Sequence, residues 1–208
     1  MTNKDKSTPA LAVNCYSDGE GAFMEWSQNI RARLLGPLLR TLGANGVRAD
    51  HLTYLSLLCG LAFCPLFIGE SYIFAFAFLF LHVLLDGIDG PLARHLGRAG
   101  DRGSFTDTAA DQVVVAATTI ALIHTGHLSA WAGGCYLFLY TLVVTFAFIR
   151  NALKTPYSWL FRPRFIVFAW MVVELYLWSG SLNWVVWSAT AILGLKSLTG
   201  FIAIRRRI

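Results

Sequence analysis

Long apolar runs, separated by connections of alternating charge, constrain this chain more than any other feature. Six runs can be read, approximately Leu52–Gly69, Ser71–Leu85, Phe105–His124, Leu128–Ile149, Phe165–Gly180 and Leu182–Ile204. Crossing the hydrocarbon of a bilayer takes about 20 helical residues. Backbone groups there have no water to bond to, so each segment must be a helix or part of a closed barrel. No run alternates with the period of two that barrel strands require, and no 20–50-residue repeat is present. The expected fold class is all-α: a polytopic membrane protein with six transmembrane helices. The second run is short but continues as helix through "DGIDGPLARHL". The fifth is also short and is expected to begin earlier, near Trp159.

The cations sort by connection. Arg31, Arg33, Arg40 and Arg48 precede the first run; Arg94, Arg98 and Arg102 lie between the second and third; Arg150, Lys154, Arg162 and Arg164 lie between the fourth and fifth; Arg205, Arg206 and Arg207 follow the sixth. The intervening connections "GES", "HTGHLSA" and "SGSLN" have no Lys or Arg. This asymmetry predicts both termini, and the DGIDGPLAR stretch, on the cytoplasmic side. It also explains the net charge of +5 without a nucleic-acid partner. Trp131, Trp178, Trp184 and Trp187 flank the other ends and suit interfacial anchors.

Residues 1–20 are polar, lack the apolar core of a signal peptide, and are expected to form a flexible cytoplasmic tail. Within 21–45, Ala22, Trp26, Ile30, Leu34, Leu38 and Leu42 recur at i+4, with Arg31, Arg33 and Arg40 off that stripe. An N-terminal amphipathic helix on the inner leaflet is expected, interrupted near Gly36-Pro37; packing of the same helix on the bundle is compatible with it. Residues 46–208 form the expected six-helix domain. Cys15, Cys59, Cys64 and Cys135 make no C-x-x-C pair and fit buried small hydrophobes, not a zinc site or disulfide framework.

The chemistry is concentrated in "DGIDGPLARHLGRAGDRGSFTDTAAD". Asp86 and Asp89 are three apart, Asp107 and Asp111 four apart, so each pair occupies one helix face. A short hairpin between the helices gathers four carboxylates at the membrane boundary. Like charges near lipid repel strongly. Either some are protonated, or divalent cations lie between them. All-oxygen ligands favour Mg²⁺ or Mn²⁺, and four carboxylates suit two ions in a phosphoryl-transfer geometry. The small residues Gly90 and Ala93, one turn apart and flanked by Arg94, open a groove that suits a nucleotide phosphate; close helix packing would use the same residues.

The order is Asp86, two residues, Asp89-Gly90, two residues, Ala93-Arg94, eight residues, Gly103, three residues, Asp107, three residues, Asp111. Every fixed position and gap resembles the CDP-alcohol phosphatidyltransferase signature, D-x2-D-G-x2-A-R-x8-G-x3-D-x3-D. The resemblance implies transfer of a phosphatidyl or similar group from a CDP-linked lipid donor to an alcohol acceptor, with release of CMP. It implies Asp86, Asp89, Asp107 and Asp111 as metal ligands, Asp111 also as general base, and Gly90, Ala93 and Arg94 at the nucleotide. It further raises homodimerisation. Family members often carry P-N-x-L-T where the first span starts; here the stretch is Ala49-Asp50-His51-Leu52-Thr53. Thr53 fits a donor contact. Asp50 replaces the usual amide and reads equally well as an N-cap.

The signature leaves the acceptor open. Arg150, Arg164 and Lys196 are candidates for an acceptor phosphate, which favours a phosphorylated polyol such as glycerol 3-phosphate or inositol phosphate over serine, choline or inositol. Against this, Glu174 counts to a depth similar to that of Lys196, and an ion pair would satisfy both. Glu174 facing a cationic acceptor is a further reading. His82, one turn before Asp86, reads first as satisfied within the bundle. A divalent-cation transporter is the alternative from another class, but it would place its carboxylates nearer the midplane.

Overall fold

Apolar side chains repeated over five turns or more leave helix as the structure that satisfies every backbone group, and helix is what the described residues form. The computed structural model describes residues 35–155, 157 and 162–208. Residues 35–44 are helical. Six longer helices follow: α1 (Ala49–Ile68), α2 (Tyr72–His95), α3 (Asp101–His124), α4 (Ala130–Ala152), α5 (Arg164–Tyr176) and α6 (Ser181–Arg205). No strand occurs among the described residues.

Four of these helices, α1, α2, α4 and α6, are long and apolar enough to cross a membrane. The sequence predicts six spans. Helix α3 has 24 residues, but its first half carries Asp101, Arg102, Asp107 and Asp111, which dilute its apolar character. Helix α5 has 13 residues, about 20 Å of rise, short of a roughly 30 Å hydrocarbon core. The expected earlier start near Trp159 lies outside the described residues. So do the tail 1–20 and most of the stripe expected over 21–45.

Helix α1 packs against α2 and α3, α4 against α3 and α6, and α5 against α6. The main core runs through Phe63 and Phe67 of α1, Leu79 of α2, Val114, Val115 and Leu122 of α3, Tyr136 of α4, Met171 of α5 and Val186 and Leu193 of α6. Contact between α1 and α3 is close at Gly60, where an added Cβ would sit 2.5 Å from Val114 Cγ2. A second core joins Leu39 to Leu52 of α1 and Leu92 of α2, with Leu35 and Leu42 alongside. The apolar face of 35–44 is therefore 35/39/42. Of the expected 34/38/42 stripe, Leu38 is 41% exposed, while Leu39 beside it is buried. Gly36 and Pro37 lie within the helical residues, so no break separates them from Leu39.

Two turns fix the functional end. At the end of α2, Arg98 N donates to Ala93 O at 2.9 Å and Gly97 takes φ +64°. This is a 6→1 helix stop that needs a residue tolerating left-handed backbone. It reverses the chain after five residues, so α3 runs back into the bundle, where it packs on α1. At the opposite end, buried Glu174 accepts from Gly180 N at 2.6 Å and Leu182 N at 2.7 Å. Its carboxylate meets the exposed N–H groups that begin α6, where a negative charge is stabilising.

That second turn corrects an expectation. A Glu174–Lys196 ion pair is not formed. Glu174 binds the backbone of Leu182, fourteen residues before Lys196 on the same helix, about 21 Å of rise away. Counting depth from the sequence assumed a full-width fifth span, whereas α5 ends two residues after Glu174.

Candidate active site

One end of the bundle collects the polar residues. Thr53 lies in the first turns of α1, Asp86 and Asp89 in the last turns of α2, Asp107 and Asp111 in the first half of α3, and Arg164 opens α5. The i+3 and i+4 spacings aim each Asp pair inward, as the sequence predicts.

Three carboxylates converge. Asp86, Asp89 and Asp107 each place an oxygen within 4.8 Å of the other two. The fourth, Asp111, stands beside them in an ion pair with Arg164 Nη1. Arg164 Nη2 also reaches Asp86 Oδ2 at 2.8 Å. Asp89 is buried and accepts from Thr53 Oγ1 at 2.7 Å. Four carboxylates and one guanidinium leave three formal negative charges in a poorly solvated space. Such a donor set fits hard divalent ions: all ligand atoms are oxygens, and oxygens opposite one another on Mg²⁺ would stand about 4.2 Å apart. Asp86, Asp89 and Asp107 are placed to share one ion, and Asp111 stands beside them.

The sequence does not single out Arg164 as a partner of these aspartates. Its side chain is 2% exposed and packs over the Phe165 ring at 4.6 Å. A cation in the first turn of a helix opposes the helix dipole; the carboxylates of Asp86 and Asp111 offset that. The expected trio Arg150, Arg164 and Lys196 is thus divided. Arg150 stacks on Tyr157 at 4.1 Å, Lys196 Nζ lies 6.0 Å from the same ring, and Tyr157 Oη donates to Lys196 O at 3.1 Å. Burial pushes the Tyr157 hydroxyl above its ordinary pKa, while Arg150 pulls it back. Gly200 makes room for that hydroxyl, since a Cβ there would collide with it.

Beside the carboxylates is an open cleft, lined by Asp107, Asp111, Tyr140, Val143, Phe148 and Arg162 among others. Tyr140 was not singled out from the sequence. The available signal was Tyr136 and Tyr140, two hydroxyl-bearing rings four apart in an apolar run. On the other side, Gly90 faces its own Arg94, whose Nη1 lies 3.5 Å from where a Cβ would be, and Ala93 is half-buried. Asp50 is exposed in the first turn of α1. It is not the N-cap: Arg48 takes that position, with His51 Nδ1 accepting from its backbone N–H at 3.4 Å. His82 is buried and satisfied by Ser56, Oγ to Nδ1 at 2.8 Å, as the bundle reading expects.

The sequence pattern of the CDP-alcohol phosphatidyltransferase family matches residues 47–195, which include all four aspartates. This chain belongs to that family. Among its relatives is inner membrane protein YnjF of Escherichia coli (strain K12), 32% identical over 108 residues. That alignment covers 51% of this chain and 52% of YnjF, so the chain spans about half the length of the curated relative it matches. The family member is also similar in fold to Mycobacterium tuberculosis phosphatidylinositol phosphate synthase (PgsA1), crystallised with manganese and citrate. The TM-score is 0.67 at 19% identity, covering 81% of this chain and 87% of that one. The four apolar helices and the inner-membrane relative identify an integral membrane protein.

Proposed function

We propose that this chain is a metal-dependent phosphotransferase of phospholipid synthesis, moving a phosphatidyl group from CDP-diacylglycerol to an alcohol with release of CMP. The observation that carries the reading is the convergence of Asp86, Asp89 and Asp107 with Asp111 beside them, within a chain of this family. Two bound dications, Mg²⁺ or Mn²⁺, would neutralise the donor diphosphate and the departing CMP. Asp86, Asp89, Asp107 and Asp111 would hold them, with Thr53 orienting Asp89. Gly90, Ala93 and Arg94 line the nucleotide groove, with Asp50 at its rim. The acceptor hydroxyl oxygen attacks the phosphatidyl phosphorus, the bond to CMP breaks, and the hydroxyl proton passes to Asp111.

The cleft beside Asp107 and Asp111 suits the acceptor, and Arg162 in its lining supports one that bears a phosphate, such as glycerol 3-phosphate or inositol phosphate. Arg150 and Lys196, gathered on Tyr157, are a more remote phosphate contact. A cation-transport role is less well supported, because the carboxylates lie at helix ends and not at mid-span. The distribution of cations supports six spans, with α3 and α5 completing the set, both termini and the active site cytoplasmic, and the N-terminal amphipathic helix on the inner leaflet.

The test is CMP release by purified protein supplied with CDP-diacylglycerol, Mg²⁺ or Mn²⁺, and a panel of alcohols with and without phosphate. Release with at least one alcohol, abolished by chelation, is expected. No release with any alcohol under either metal refutes the reading.

A further inference from the structure

We infer that Arg164 is a built-in counter-cation that keeps the carboxylate cluster partly closed, so that the resting protein offers one metal site and the second forms only when Arg164 leaves Asp86 and Asp111. The inference rests on the metal-binding reading above and adds an order of assembly to it.

The geometry divides the four aspartates unequally. Asp86, Asp89 and Asp107 already present oxygens within 4.8 Å of one another. Asp111 is not in that group; its carboxylate is engaged by Arg164. Asp86 serves both sides, with Oδ2 on Arg164 at 2.8 Å. A dication needing Asp111 must therefore compete with a guanidinium for oxygens already in use. Arg164 and the two carboxylates are all nearly inaccessible, at 2%, 12% and 13% exposure, so water screens this competition weakly.

Arg164 is also incompletely satisfied. Its Nε is buried and has no hydrogen-bond partner. A fixed structural ion pair of this depth is stable only when its remaining donors are met. An unmet N–H on a buried guanidinium beside an anionic site marks a group with a second arrangement. The partner of suitable chemistry is a phosphate oxygen, which the CDP-linked donor brings. Arrival of the donor then gives Arg164 another anion and frees Asp111 and one side of Asp86 for the second ion.

The test is Mn²⁺ binding to the purified full chain in nanodiscs, read by electron paramagnetic resonance and calorimetry, with CDP as the nucleotide probe. Wild type is expected to bind one Mn²⁺ per chain without nucleotide and a second once CDP is added. Arg164→Gln is expected to take up two without nucleotide, its second site at least tenfold tighter than in wild type. Arg164→Lys, which keeps the charge but cannot bridge both carboxylates, should fall between. Two ions of equal affinity in nucleotide-free wild type overturn the inference, whether or not either variant folds. So does unchanged one-ion stoichiometry in folded Arg164→Gln. These results leave the catalytic reading standing, since CMP release is measured separately. No Mn²⁺ binding by wild type, alone or with CDP, defeats both.

Discussion

Thr53→Val removes one hydroxyl and little else. Its Oγ1 donates to Asp89 Oδ2 at 2.7 Å, and both residues are buried, at 6% and 4% exposure. A hydrogen bond to a charged group is worth about 1.5–3 kcal/mol net. At about 1.4 kcal/mol per decade, that corresponds to roughly 10- to 100-fold. Residues that orient metal ligands typically cost a similar 10–100-fold in affinity when removed. Val has nearly the same shape and volume, so the buried space stays filled. The expected outcome is Mn²⁺ affinity, and the Mn²⁺ concentration for half-maximal CMP release, weakened by about one to two decades, with an unfolding midpoint near wild type. Thr53→Ser, which keeps the donor, should recover most of the loss. Affinity within twofold of wild type in a folded Thr53→Val protein would refute the assignment of Thr53 as the group that orients Asp89.

Asp111→Asn should abolish CMP release while the protein still elutes as a folded species on size exclusion; turnover near wild type removes the base assignment. Glu174→Ala strips two short backbone hydrogen bonds at the start of α6 and should cost about 3 kcal/mol or more, read as a lowered unfolding midpoint, with Glu174→Gln milder because it keeps an acceptor. Gly60→Ala drives a Cβ to 2.5–2.7 Å from the branched Val114 side chain. Overpacking costs about 1–3 kcal/mol, less up to about 1 kcal/mol gained in helix propensity. A net loss is expected, recovered when Val114→Ala is added.

Hydropathy made most of the helix boundaries legible, and α2 continues through Asp86 and Asp89 to His95 as expected, despite Gly87, Gly90 and Pro91. The aspartates were legible because both members of each pair lie on one helix, where spacing alone sets the face. Arg164 was not, because its partners lie 78 and 53 positions away in sequence and no local pattern encodes that meeting. Tyr140 and Arg162 share a cleft through packing of α3, α4 and α6 for the same reason. Depth counting misjudged Glu174 because it assumed every run spans the full bilayer. Within 35–44, contact with Leu52 and Leu92 buries Leu39, a tertiary contact that 3.6-residue periodicity alone does not encode.

The two ends of α5 are held by different means. Glu174 is fastened by backbone hydrogen bonds to the start of α6, while Arg164, ten residues or about 15 Å away, is held by two carboxylates and the Phe165 ring, and ligands can claim the carboxylates. The geometry of the short helix links its two ends. A tilt of about 10° at the Glu174 end carries the guanidinium through roughly 2.5 Å over that length, enough to break a hydrogen bond while leaving the far turn undisturbed. Loosening the Glu174 end would therefore alter events at the opposite end of the bundle without touching any residue there.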